Sequence, residues 1–149
     1  MNPYGAKVAT YVKNEVNTAN RLQLLIMLYD SAVRFMTYAK NSLLDNDITQ
    51  KGYYIGKAMA IISEFKGTLD FGPAPELAKN LERLYTFVND RLLQANMKND
   101  PSKLDEALHI TNILREGWVE LYRQLPAVTV DVDPAVRQVN ENSYLRISI

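Results

Sequence analysis

Apolar residues recur at helical spacing through four long stretches of the chain, and the first stretch is apolar on two sides. At about 100° per residue, Leu22, Leu25, Ile26, Tyr29, Ala32, Val33, Met36 and Leu43 share one stripe. Leu24, Leu28, Phe35 and Tyr38, with Ser31 among them, form a second stripe on roughly the opposite side. Only a narrow strip of Gln23, Asp30, Arg34, Thr37 and Asn41 is left for water. An ordinary surface helix shows one apolar stripe and one polar face. A second stripe marks either a helix central in a bundle or a helix with a docking partner.

Breakers separate the four stretches. The first opens at Asn20, a capping residue with Gln23 three places on, as in a capping box. Asp45-Asn46-Asp47 ends it and offers Asp47 as the next N-cap, and the second stretch then places Ile55, Ala58, Met59, Ile62, Phe65 and Leu69 on one side. After Phe71-Gly72-Pro73-Ala74-Pro75, the third carries Leu77, Leu81, Leu84, Val88, Leu92 and Ala95. Asp100 and Pro101 suit the start of the fourth, which carries Leu104, Ala107, Thr111, Leu114, Trp118, Tyr122 and Leu125 before Pro126. Four such helices with short connections predict an all-α, antiparallel up-and-down four-helix bundle over residues 20–125. Residues 1–19 read as an N-terminal arm, with Tyr4, Val8 and Tyr11 at i, i+4 and i+7; the spacing fits either a disordered tail or an anchor face that covers part of a groove until a partner displaces it, or that contacts the partner itself. Residues 126–149 read as a C-terminal tail in which Val128, Val130 and Val132 alternate as in a strand.

Composition narrows the chemistry. At 149 residues one domain is expected, and the absence of cysteine removes disulfides and any thiolate nucleophile or ligand. Seventeen basic residues balance seventeen acidic ones, which gives no reason to expect nucleic acid. No secretory leader pattern and no apolar run near the ~18 residues of a membrane span is present, so a soluble cytoplasmic protein without membrane insertion is expected. Glu106-Ala-Leu-His109 matches half of the di-metal signature of bundle enzymes, but His109 is the only histidine and falls away from the core stripe. Neither a nucleophilic triad nor a phosphate loop is present, so the expectation is a protein without cofactor, metal or catalytic residues.

A partner is the better use of the extra apolar surface. The fourth stretch repeats the two-sided pattern, with Ile110, Ile113, Gly117 and Leu121 beside its core stripe. Glycine inside a helix costs roughly 1 kcal/mol against alanine unless something packs closely on the backbone. The pattern allows three readings: two unusually buried helices, a hydrophobic groove for helices of another chain, or a self-associating structural bundle whose second stripes close on a copy of itself as a homodimer.

The residues also carry a family likeness. Tyr11-x4-Val16-x-Thr18-Ala19 followed by Leu24-Leu25-x-Met27-Leu28-Tyr29-Asp30-x-Ala32 resembles the opening motif of FliS, the flagellin-specific export chaperones. The likeness continues through Ala58, Ile61-Ile62-Ser63-Glu64 and Thr68-Leu69-Asp70. It recurs in Leu77-Ala78-x-Asn80-Leu81-x-x-Leu84-Tyr85-x-Phe87-Val88-x-x-Arg91-Leu92-x-x-Ala95-Asn96 and in Leu114-Arg115-Glu116-x-Trp118, covering roughly residues 4–125. The chain departs from the family at Asn20-Arg21, where Ser-Pro is usual, and at Ser31, where Gly is usual. The resemblance implies a cytosolic chaperone that binds the disordered C-terminal segment of flagellin, blocks premature polymerisation and presents the complex to the flagellar export gate. Leu24, Leu28, Ser31, Phe35, Tyr38, Ile110, Ile113, Gly117 and Leu121 are the residues expected to line the client groove.

Overall fold

The computed structural model describes residues 3–126, with side-chain surroundings from Asn17 onward. Four helices make up this part of the chain: α1 (Pro3–Leu44), α2 (Ile48–Gly67), α3 (Pro75–Lys98) and α4 (Pro101–Gln124). Among the described residues there is no strand, and the fold is an all-α four-helix bundle. The side chains of Tyr4, Val8 and Tyr11, and the alternating Val128, Val130 and Val132, lie outside the described residues. Packing is described for the compact unit Asn20–Gln124.

Three of the four helix starts follow local chemistry legible in the chain. The Asp47 carboxylate accepts the Gln50 N–H at 3.1 Å and caps α2. Pro75 sits in the first turn of α3, where its missing N–H costs nothing. Asp100 accepts both the hydroxyl of Ser102 (2.7 Å) and its N–H (2.9 Å), and these two bonds hold the Asp100 carboxyl below its usual range. The start of α1 corrects the expectation. The helix is already running at Asn20, so Asn20 is interior and not a cap. Gln23 donates across the bundle to the Tyr122 hydroxyl.

Side-chain contacts set the order of the helices. Between α1 and α4, Lys40 meets Asp105 at 2.7 Å, Asp30 pairs with Arg115, and Gln23 bonds Tyr122. Each step back along α1 is matched by an equal step forward along α4, so the two helices are antiparallel neighbours in a fixed register. Asn89 to Ser63 (3.0 Å) ties α3 to α2, and Arg91 to Glu106 (3.4 Å) ties α3 to α4. Tyr29 stacks on Phe65 with ring centroids 4.5 Å apart, joining α1 to α2. The chain therefore goes up and down around a closed ring of four.

The core runs the length of the bundle. Tyr29, Ala32, Met36, Ile55, Ala58, Ile62, Val88, Leu92, Leu104, Ala107 and Thr111 are buried, with Ala39, Tyr85 and Ala95 beside them. Of the expected core positions, Leu114 and Trp118 are half-buried against this cluster, whereas Leu77 in the first turn of α3 is exposed. A charged residue also lies inside. Lys51 is 3% exposed and donates to the Asn96 carbonyl (2.9 Å) and the Asn99 side-chain oxygen (2.5 Å). It thereby serves the C-terminal end of α3, where helical carbonyls lack intrahelical partners and Asn99 turns left-handed at φ 51°.

Candidate docking surfaces

The first surface is built by α1 and α2. Leu24 is 57% exposed and Tyr38 45%, whereas Leu28, Ser31 and Phe35 are half-buried, with Leu28 and Phe35 packed on the core. The stripe is therefore neither fully interior nor fully solvated: its inner edge belongs to the bundle and its outer edge is open. Across from it, α2 supplies Tyr54, whose ring lies 6.2 Å from Phe35 and 5.3 Å from Tyr38, and Tyr53, 5.3 Å from Tyr54. The four rings make one continuous aromatic floor. Sequence reading missed both tyrosines of α2. The adjacent Tyr53-Tyr54 pair was the available signal, because two neighbouring aromatics on one helix cannot both face a core.

The second surface is on α4. Ile113 is 52% exposed and Leu121 44%, Gly117 is exposed between them, and Ile110 is half-buried against the core. Among the described residues, no atom comes within 4 Å of where a Gly117 Cβ would stand. The close approach that would explain a glycine here is thus not made by the bundle. These residues lie on the side of α4 shared with Glu106, which bonds Arg91 of α3, and turn away from the side that meets α1.

The two sets of expected groove residues are consequently not brought together. The α1 set flanks α2, the α4 set flanks α3, and the polar α1/α4 seam lies between them. The strip assigned to water is also corrected: Gln23 and Asp30 are that seam, because the bundle turns this side of α1 onto α4.

Among the described residues no group of three or more His, Cys, Asp or Glu is placed to hold a metal ion, and His109 is exposed. No helix among them is long and apolar enough to cross a membrane.

Comparison with known proteins agrees with this picture. The model of the family described as flagellar protein FliS matches residues 4–125. The flagellar secretion chaperone FliS of Vibrio cholerae is 30% identical over 124 residues, covering 81% of this chain and 91% of that protein. That of Campylobacter jejuni is 32% identical over 112 residues (75% and 88%), and that of Bacillus subtilis 34% over 117 residues (78% and 84%). The family's function is chaperoning, which is not an enzymatic activity. A four-helix bundle that keeps apolar faces open and matches this family over nearly all of its described length leaves one conclusion: the chain belongs to the FliS family of flagellar secretion chaperones.

Proposed function

We propose that the protein is a cytosolic export chaperone that holds the C-terminal segment of flagellin along both apolar faces, prevents its premature polymerisation and supports its delivery to the flagellar export gate. The observation that carries this reading is the pair of open apolar faces, Leu24 with Tyr38 and Ile113 with Leu121, on a bundle that buries its own core stripes. A partner that binds while folding has to offset its own ordering. For about 30 residues that cost is on the order of 45 kcal/mol at ~1.5 kcal/mol per residue. Matching it takes roughly 1,800 Å² of apolar burial at ~25 cal/mol/Å². One compact pocket does not supply that area, so the reading calls for a contact that extends over separate flanks of the bundle.

The test is calorimetric titration of the full chain with a peptide from the C-terminus of the flagellin of the same bacterium. Binding is expected, and it is expected to drop on the order of tenfold or more in Leu24→Asp and in Ile113→Asp. Both residues are more than half exposed, so both variants should keep the helical content of the parent. No binding to the parent, or binding to both folded variants that equals the parent's, removes the flagellin reading. A tight dimer that excludes the peptide in sedimentation would favour self-association instead.

A further inference from the structure

We propose that the α1/α2 face accepts a helical client segment carrying carboxylates beside its apolar stripe, with Arg34 and Lys57 as the groups that receive them. The inference rests on the docking reading above and adds the chemistry of the occupant. The aromatic floor of Phe35, Tyr38, Tyr53 and Tyr54 has a cation on each rim. Lys57 holds its ammonium 5.4 Å from the centre of the Tyr53 ring. Arg34 donates to the Ser31 hydroxyl at 3.2 Å, and that hydroxyl donates in turn to the Met27 carbonyl at 3.1 Å.

Neither cation has a carboxylate within ion-pair distance among the described residues, although six other cations of the bundle do: Lys40, Lys79, Arg91, Lys103, Arg115 and Arg123. Within the two helices that build this flank, bases outnumber acids, the remaining acids Asp45, Asp47 and Asp70 lying in the connections at the helix ends. α2 carries Lys51, Lys57 and Lys66 against Glu64 alone, with Lys51 turned inward and Glu64 two turns beyond Lys57. From Asn20 onward α1 carries Arg21, Arg34 and Lys40 against Asp30, and both Asp30 and Lys40 are engaged by α4. The α4 face differs, because its acids are matched: Glu106 pairs with Arg91 and Lys103, and Glu120 with Arg123.

An apolar floor with a basic rim selects the sign of the segment that docks on it. Rim charges contribute little to total affinity but decide orientation and exclude wrong partners, because like charges held together at a desolvated edge are costly. A helix with Glu or Asp flanking its apolar stripe fits the α1/α2 rims, and the same helix with Lys there does not.

The experiment uses two synthetic amphipathic helical peptides with one shared apolar stripe, flanked by Glu in one and by Lys in the other. Both are titrated into the full chain at low salt. The acidic peptide is expected to bind on the order of tenfold more tightly. The preference should vanish or invert in R34E/K57E and persist in R83E, a change on the exposed outer side of α3. Equal binding of the two peptides, binding of neither, a preference that survives R34E/K57E, or one that R83E erases as fully would overturn the proposal. The flagellin peptide run alongside separates the two readings. Its failure to bind while the acidic preference holds removes flagellin as client and leaves the charge rule standing.

Discussion

The hydroxyls of Tyr29 and Tyr85 meet at 2.6 Å inside the bundle, one donating to the other across the diagonal between α1 and α3. Burial is the main reason both phenols are pushed above their ordinary value of 10.0. On Tyr29 the Tyr85 hydroxyl and the Trp118 indole oppose part of the rise, whereas on Tyr85 the Tyr29 partner adds to it. A raised folded-state pKa means that the folded protein holds these protons more tightly than the unfolded chain does. The pair's contribution is therefore complete below the unfolded value near 10 and is lost as pH climbs above it. Each tyrosine adds a limiting slope of about 1.4 kcal/mol per pH unit. Urea unfolding from about pH 8 to about pH 11.5 should show stability flat at first and then falling, with a shallower fall in Tyr29→Phe/Tyr85→Phe. An unchanged slope in that variant would assign alkaline unfolding to other groups. At neutral pH, Tyr85→Phe alone should cost about 1–2 kcal/mol, because it removes one partner of a buried pair.

Lys51 is the second buried polar element, and its removal should be felt at the far end of α3. Lys51→Met keeps most of the aliphatic stem but leaves the Asn96 carbonyl and the Asn99 side chain without their donor. A loss of about 1–3 kcal/mol is expected by urea titration. Hydrogen exchange should report it first in the last turn of α3. A loss spread evenly over the bundle would mean that Lys51 acts through packing instead.

Lys51 and Tyr85 also show where sequence reading stops. Periodicity located the helices, the Asp47 and Asp100 caps and most of the core, because each of these is written within a few residues of chain. It passed over Lys51 because an ammonium reads as exposed unless its partner is known, and over Tyr85 because the stripe of α3 runs as well through Leu77 and Leu84 as through the buried Ala78 and Tyr85. The partners come from a helix 45 residues away for Lys51 and 56 for Tyr85. The same limit separates the two apolar stripes. A helical wheel shows that Leu24 and Ile113 belong to a second side, but not which neighbouring helix that side will flank.

Gly117 gives a direct trade between folding and docking. With open space where its Cβ would be, Gly117→Ala should raise stability by about 0.5–1 kcal/mol, since only backbone entropy in the unfolded chain is changed. A larger residue such as Leu should leave the fold intact and weaken flagellin peptide binding. Thermal unfolding and calorimetry on the same variants check both halves. If Gly117→Leu binds the peptide as the parent does, the client does not pack on this backbone.

The seam between α1 and α4 should orient more than it stabilises. Asp30 and Arg115 are only partly covered, with side-chain exposures of 43% and 35%. A double-mutant cycle through Asp30→Asn and Arg115→Gln should return a coupling below about 1 kcal/mol that shrinks further in high salt. A coupling several times larger would make the pair a principal tie of the bundle.

Because the two apolar faces sit on different flanks, no single straight helix can occupy both, and under the proposed function a long client would be gripped in separate pieces joined by a strand of chain. Once one piece is seated, the other rebinds at the high local concentration that its tether imposes. Release would then proceed one grip at a time. A receiving machine could draw in the freed end while the other piece is still held, so that transfer never requires the whole segment to be loose in solution.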